Sequence, residues 1–251
     1  MSSERQDHNE ISPWWGEHIH RYQAALHYLS ENGTALDLAC GNGFGTQLLS
    51  KKTIGAVIGG DISEETITYC RKTFKNIPNL HFEIMDGTHL RFENDFFNTI
   101  VSFETIEHTT KYQDMLKEFN RTLMKNGYAL ISTPNIVINS PTGKILNPYH
   151  TQEFTYHEFE THLKESFTEV SIYGQKYIRY QQQSIRNMMG QFMEKILFLR
   201  GVRKIPLCIQ NYLMKIMIGK DIYPGPNDFE LTKEKKEILK CKTFFAVCRK
   251  F

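Results

Sequence analysis

The apolar positions of this chain fall into short runs separated by turns bearing glycine, proline or polar residues. Thr34–Leu38, Ala56–Asp61, Leu80–Met85, Phe97–Glu104 and Tyr128–Thr133 are brief and mostly apolar, and they predict buried strands. Between them the apolar residues recur at helical spacing. His18–Ser30 sets Ile19, Tyr22, Ala25, Leu26 and Leu29 on one face and stops at Asn32-Gly33. Lys111–Lys125 does the same with Met115, Phe119 and Leu123 and stops at Gly127. A helix also begins near Phe44 or Gly45, and Ser63-Glu64-Glu65 reads as the cap and acidic first turn of another. Pro78 ends the stretch before the third strand, and Pro134-Asn135 ends the fifth. Strand and helix alternating in this way give a parallel α/β sheet, to which 168–173 and 243–249 add two late strands.

The informative residues are those that break the apolar pattern. Gly41, Gly43 and Gly45 follow the first strand, where they let the backbone turn tightly and approach a ligand, with an anionic group held at the next helix start. Asp37 lies within the apolar strand itself, a costly place for a carboxylate unless it meets cationic ligand atoms or backbone N–H groups. Asp61 closes the second strand, where such an acid commonly accepts from two ribose hydroxyls, and Asp86 closes the third. Glu104 closes the fourth, so successive acids feed the crevice at the strand ends. If Glu104–His108 turns helically, Glu104, Glu107 and His108 share one face and form an oxygen-and-nitrogen site suited to a divalent cation. His108 is also a candidate general base, because imidazole titrates near working pH. His150, in the loop before a helix from Thr155 to Lys164, is a further candidate, whereas His157 and His162 read as surface residues.

This set resembles the class I S-adenosylmethionine-dependent methyltransferases over roughly residues 30–175 and again at the last strand. Their first motif looks like Leu36–Gly43, their ribose-binding acid like Asp61 and their adenine-contacting acid like Asp86. The resemblance implies a Rossmann-like, doubly wound, seven-stranded sheet, mostly parallel with an antiparallel last strand, and a C-terminal helical insertion. It assigns cofactor contacts to Asp37, Gly41, Gly43, Asp61, Ile62, Asp86 and Gly87, with Arg21 on a covering helix placed to pair with the methionine carboxylate. Glu104-x-x-Glu107-His108 looks like the magnesium-binding motif of ubiquinone-biosynthesis O-methyltransferases. The small-RNA 2′-O-methyltransferases share it and also carry counterparts of Thr133-Pro134-Asn135 and His150-Thr151-Gln152-Glu153-Phe154-Thr155. By that likeness His150 joins Glu104, Glu107 and His108 around a metal, and His108, Glu104 and His150 carry the chemistry.

At 251 residues, one large domain plus an insertion is expected: a cap over 1–32, a core over 33–176 with 240–251, and a helical insertion over 177–239. The net charge of +2 implies no pull toward DNA, while RNA remains an alternative acceptor. The polar N-terminus, the absence of a membrane-length apolar run and five cysteines without metal spacing fit a cytoplasmic protein with reduced thiols. Between Ser184 and Lys220 stand seven basic residues and one acid amid Met-rich helical runs. That segment reads as a packed subdomain or homodimer face, as a lid over the acceptor pocket, or as a surface for a lipid-linked acceptor or membrane. The expectation is O-methylation of a small molecule, most readily a sugar or glycan-pathway intermediate, aided by His and Glu or a metal. N-methylation and a non-catalytic cofactor-binding protein are the alternatives.

Overall fold

The computed structural model describes residues 12–181, 184–185, 187–192 and 207–251. The five predicted runs form parallel strands: β1 (Ala35–Leu38), β2 (Val57–Asp61), β3 (Leu80–Ile84), β4 (Phe97–Phe103) and β5 (Leu123–Pro134). Every residue of β1 and β2 is buried, as is all of β4 but Asn98, which is the pattern of a parallel sheet covered on both faces. α2 (Phe44–Ser50) packs on β2, α3 (Glu64–Thr73) on β2 and β3, and α4 (Tyr112–Thr122) on β5. The Ser63 side chain accepts from the Thr66 N–H, so the predicted cap of α3 forms.

β8 (Thr243–Arg249) runs antiparallel between β5 and β6 (Glu169–Tyr177). The seven expected strands are present, and β7 (Phe229–Thr232) adds an eighth at the edge, giving the order β3-β2-β1-β4-β5-β8-β6-β7. β7 falls inside the stretch expected to be helical; four residues are too few for alternation to be read with assurance.

Two helix boundaries shift. α1 covers Trp15–Ala25 and continues as a 3-10 turn over Leu26–Tyr28, rather than spanning His18–Ser30. α4 ends at Thr122, because fully buried Leu123 is taken into β5 opposite Phe97. The register then shifts between Phe97 and Thr99, and Asn126 adopts a φ of 62°. Periodicity alone assigned Leu123 to the helix face because a buried leucine fits either element.

The core holds Leu36, Ile100, Phe119, Ile131, Phe159 and Phe244 among others, joining the sheet to α4 and α6 (Tyr156–Ser166). A Thr155–Glu158 capping box starts α6, and a short helix, α5 (Ile136–Asn139), is capped by the Asn135 side chain. Contacts divide the chain into two compact units, one holding Arg21–Lys176 and Leu231–Phe251, the other Ile11–His20 and Tyr177–Glu230. In the second unit residues 187–192 and Leu207–Ile218 are helical; the expected helical run through 193–199 lies outside the described residues. No helix among the described residues is long and apolar enough to cross a membrane.

Candidate functional site

The sheet register sets the site. Asp37 pairs with Gly59 and Val101, and Asp61 with Ile84, so the tips of β1–β4 end side by side. Past β1 the backbone turns through left-handed conformations at Ala39 (φ 60°), Gly41 (φ 52°) and Gly43 (φ 78°), the last being the cap position of α2. A Cβ at Gly43 would stand 2.8 Å from Phe74 and 2.9 Å from Phe82, so both conformation and space demand glycine there. A Cβ at Gly41 would meet nothing within 4 Å: the backbone there borders open space, as a ligand cradle requires. Glu104, just past β4, also has a positive φ, 50°. Non-glycine residues held at such angles gather at functional sites, since each costs about 1–3 kcal/mol that the surroundings must offset.

Asp37 is fully buried, and its carboxylate accepts from the Tyr22 hydroxyl at 3.0 and 3.2 Å and from the Thr46 hydroxyl at 2.7 Å. Burial raises its pKa from 3.8 to about 7 against those hydrogen bonds, with the nearby charge of Asp61 adding to the rise. The folded state therefore holds this proton more tightly than the unfolded chain does. The contribution is fully present below pH 3.8 and is lost as the pH climbs through about 7. Asp37→Asn is expected to flatten that part of the stability profile. Urea unfolding between pH 4 and 8 should show the native chain losing on the order of 4 kcal/mol that the variant keeps.

Asp61 is buried and shapes the turn: its Oδ2 accepts from the Gly41 N–H at 3.2 Å and its Oδ1 from the Ser63 N–H at 2.9 Å. Ile62 beside it is 73% exposed, an apolar side chain turned to solvent. Asp86 accepts from the Thr88 N–H and hydroxyl, which hold its carboxyl below the usual range, and Gly87 is buried against Leu38 and Met115. Arg21 is fully buried and donates to Gln175 on β6 at 2.7 Å, and its charge is felt at Glu107.

The stretch after β4 departs from a regular helix. Thr105 sits at φ −132° and only Ile106–His108 form a 3-10 turn, so the helical face that would align Glu104 with Glu107 and His108 does not form. Glu104 is turned to β5, where its Oε1 accepts from the Ser132 hydroxyl at 2.7 Å. Glu107, His108 and His150 come together instead, each offering a ligand atom within 4.8 Å of the others. The His108 and His150 rings meet edge-on with centroids 4.9 Å apart. The loop carrying His150 is tied down from below: the Glu107 carbonyl accepts from the Thr151 N–H and hydroxyl, and the Gln152 amide donates to the Ile106 and Thr109 carbonyls.

Glu107 is completely buried. One carboxylate oxygen accepts from Thr133 at 3.0 Å, while the other has no hydrogen-bond partner. Burial, reinforced by the charge of Glu104, holds its carboxyl well above the ordinary range despite the Thr133 hydrogen bond and the positive charge of Arg21. His108 Nδ1 lies 3.0 Å from the Tyr149 carbonyl; His150 Nδ1 lies 2.8 Å from Glu153 and its Nε2 2.9 Å from the Asn147 amide. Such hydrogen bonds orient imidazoles that serve as bases or ligands.

Thr46, Ser132, Thr133 and Glu153 were not singled out from the sequence as site residues. Only Thr133 and Glu153 gave a signal, as members of the motifs flanking the cluster. His162 is half-buried rather than on the surface, 3.0 Å from the Tyr112 hydroxyl and edge-on to Phe154, because α6 packs on α4. His157 is exposed as expected.

The methyltransferase domain family matches residues 29–196. The "Probable S-adenosylmethionine-dependent methyltransferase" of Mycolicibacterium smegmatis is 29% identical over 162 residues, 64% of this chain and 61% of that protein. A demethylmenaquinone methyltransferase of Staphylococcus haemolyticus is 29% identical over 115 residues, 45% of this chain and 46% of that one. Among solved structures the YcgJ protein of Bacillus subtilis overlays with a TM-score of 0.61 at 15% identity, covering 93% of this chain and 100% of that chain, a likeness of fold.

Proposed function

The chain belongs to the class I S-adenosylmethionine-dependent methyltransferases, and from that premise we propose that it methylates a hydroxyl of a small molecule, a sugar or glycan-pathway intermediate. The observation that carries the hydroxyl assignment is the convergence of Glu107, His108 and His150 beyond β4. An amine acceptor needs little help to become nucleophilic, whereas a hydroxyl must lose a proton.

The residues fit the cofactor. Gly41 leaves backbone beside open space, Asp61 stands at the strand tip from which an acid takes ribose hydroxyls, and Asp37, satisfied by Tyr22 and Thr46, braces the strand beneath the turn. Asp86 and Ile62, both exposed, are the residues that would take the base. S-adenosylmethionine, when bound, supplies an electrophilic methyl group on its sulfonium. The chain's own task is to hold the acceptor oxygen in line with it, which contributes on the order of 7–11 kcal/mol to lowering the barrier.

The donor set also fits a divalent cation: one carboxylate with a partnerless oxygen and two imidazoles oriented through Nδ1 by Tyr149 and Glu153, with the Asn147 amide to be displaced from His150 Nε2 when a cation takes that nitrogen. Such a cation, when held, lowers the pKa of a hydroxyl that reaches it. Without one, His108 is the exposed imidazole placed to accept the hydroxyl proton. Glu104, held by Ser132, is assigned a supporting charge at the crevice rather than a ligand position.

The test is incubation with methyl-labelled cofactor and separate pools of nucleotide sugars and short RNA, each with and without a chelator. Label is expected in the sugar pool, falling at least ~10-fold on chelation and returning with magnesium or manganese. Label in RNA alone moves the acceptor to a ribose 2′-hydroxyl. Transfer that ignores the chelator but is lost in His108→Ala removes the metal and keeps the histidine.

A further inference from the structure

The loop that brings His150 to the cluster holds its imidazole by both nitrogens. Asn147-Pro148-Tyr149 forms a turn in which the Asn147 Oδ1 accepts from the Tyr149 N–H at 3.0 Å. That bond fixes which end of the amide is oxygen, so the Asn147 nitrogen is the atom 2.9 Å from His150 Nε2. An amide NH₂ group donates and does not accept, so Nε2 must offer its lone pair. A neutral ring with a lone pair at Nε2 carries its proton at Nδ1, and the atom 2.8 Å from Nδ1 is a Glu153 carboxylate oxygen. Both contacts therefore select the same tautomer. The His150 N–H also returns to the Asn147 carbonyl at 3.2 Å. The His150 side chain is 9% exposed and that of Glu153 2%, so little water reaches this ring. His108 differs. Its Nδ1 donates to the Tyr149 carbonyl, its ring is exposed, and no described residue hydrogen-bonds its Nε2.

Building on the cluster's proposed role in hydroxyl activation, we propose that Asn147 is a removable cap on His150, a positioning residue whose amide occupies Nε2 until a ligand takes its place. A buried acceptor left bare costs more than its hydrogen bond contributes, so the loop is more stable with the amide in position. Use of His150 is then an exchange. The N–H···N bond from Asn147 breaks as the acceptor's hydroxyl donates to Nε2, or as a cation takes the same lone pair. Trading one such bond for another gains little by itself. His150 is therefore surrendered only to a ligand that also engages Glu107 or His108, and exposed, uncapped His108 is the member that meets the ligand first.

Asn147→Ser separates the cap from the turn, because a serine hydroxyl still accepts from the Tyr149 N–H but is too short to reach the His150 ring. Nitrogen NMR of the full chain with isotope-labelled histidine should show His150 protonated at Nδ1 and bare at Nε2 in both proteins. In the variant the Nε2 signal should move while the Nδ1–H signal stays; a loop that merely came apart would move both. Carbethoxylation of His150 by diethyl pyrocarbonate, read by peptide mass spectrometry against exposed His157, should be at least ~10-fold faster in the variant, since Nε2 is no longer occupied. A native His150 protonated at Nε2 overturns the proposal, and so does a variant that reacts no faster. Neither readout involves a cation or methyl transfer, so failure of the cap and failure of the proposed reaction are told apart.

Discussion

Asp61→Ala is expected to cost the protein at least ~100-fold in affinity for S-adenosylmethionine, measured by titration calorimetry. The carboxylate is proposed to take both ribose hydroxyls, and hydrogen bonds to a charged acceptor contribute about 1.5–3 kcal/mol each. The same side chain also holds the Gly41 and Ser63 N–H groups, so its loss loosens the turn that approaches the ligand. Asp61→Asn separates the two effects. It keeps one oxygen for the turn but surrenders the charge, and its affinity should fall between those of the native chain and the alanine variant. Unchanged affinity in Asp61→Ala would mean that the strand tips do not grip the nucleoside as assigned here.

Glu107→Gln should make the protein less active, and more stable than the native chain as the pH rises. Burial makes the charged carboxylate costly, so the native chain loses stability as the pH climbs through the raised pKa, a loss the neutral amide escapes in chemical denaturation. The same change takes the only carboxylate from the Glu107, His108 and His150 cluster. Cation affinity and chelator-sensitive transfer should then drop by at least ~100-fold, beyond what loss of a supporting residue costs. A variant that is stabilised yet fully active would assign Glu107 to the interior of the fold and leave His108 as the base. A variant destabilised at every pH would show that the carboxyl's hydrogen bond with Thr133 is an integral part of the packing.

The arrangement of strands was readable because β1, β2 and β4 are buried on both faces, and a short apolar run closed by an acid has few other ways to fold. Element ends were less readable. Leu123 has equal reason to close α4 or open β5, and only its pairing with Phe97 decides. At the site, the acids and histidines could be named from type and spacing, but their grouping could not. Glu104, Glu107 and His108 share a helical face on paper. In the fold, the positive φ of Glu104 and the non-helical φ of Thr105 break that face, and His150 arrives from a loop 42 positions after His108.

By itself, the sequence determined the glycine turn, the acid at each strand tip and the Glu-x-x-Glu-His stretch, because these depend on residue type and on distances of a few positions along the chain. Tertiary structure alone decided that Asp37 is sealed beneath Tyr22 and Thr46, and that Glu104 turns to Ser132 while Glu107 meets two imidazoles. The physical reason is that burial and charge coupling are set by what packs from elsewhere. A carboxylate's cost, its proton and its partners belong to the space it occupies, and that space is built by residues far away in the chain.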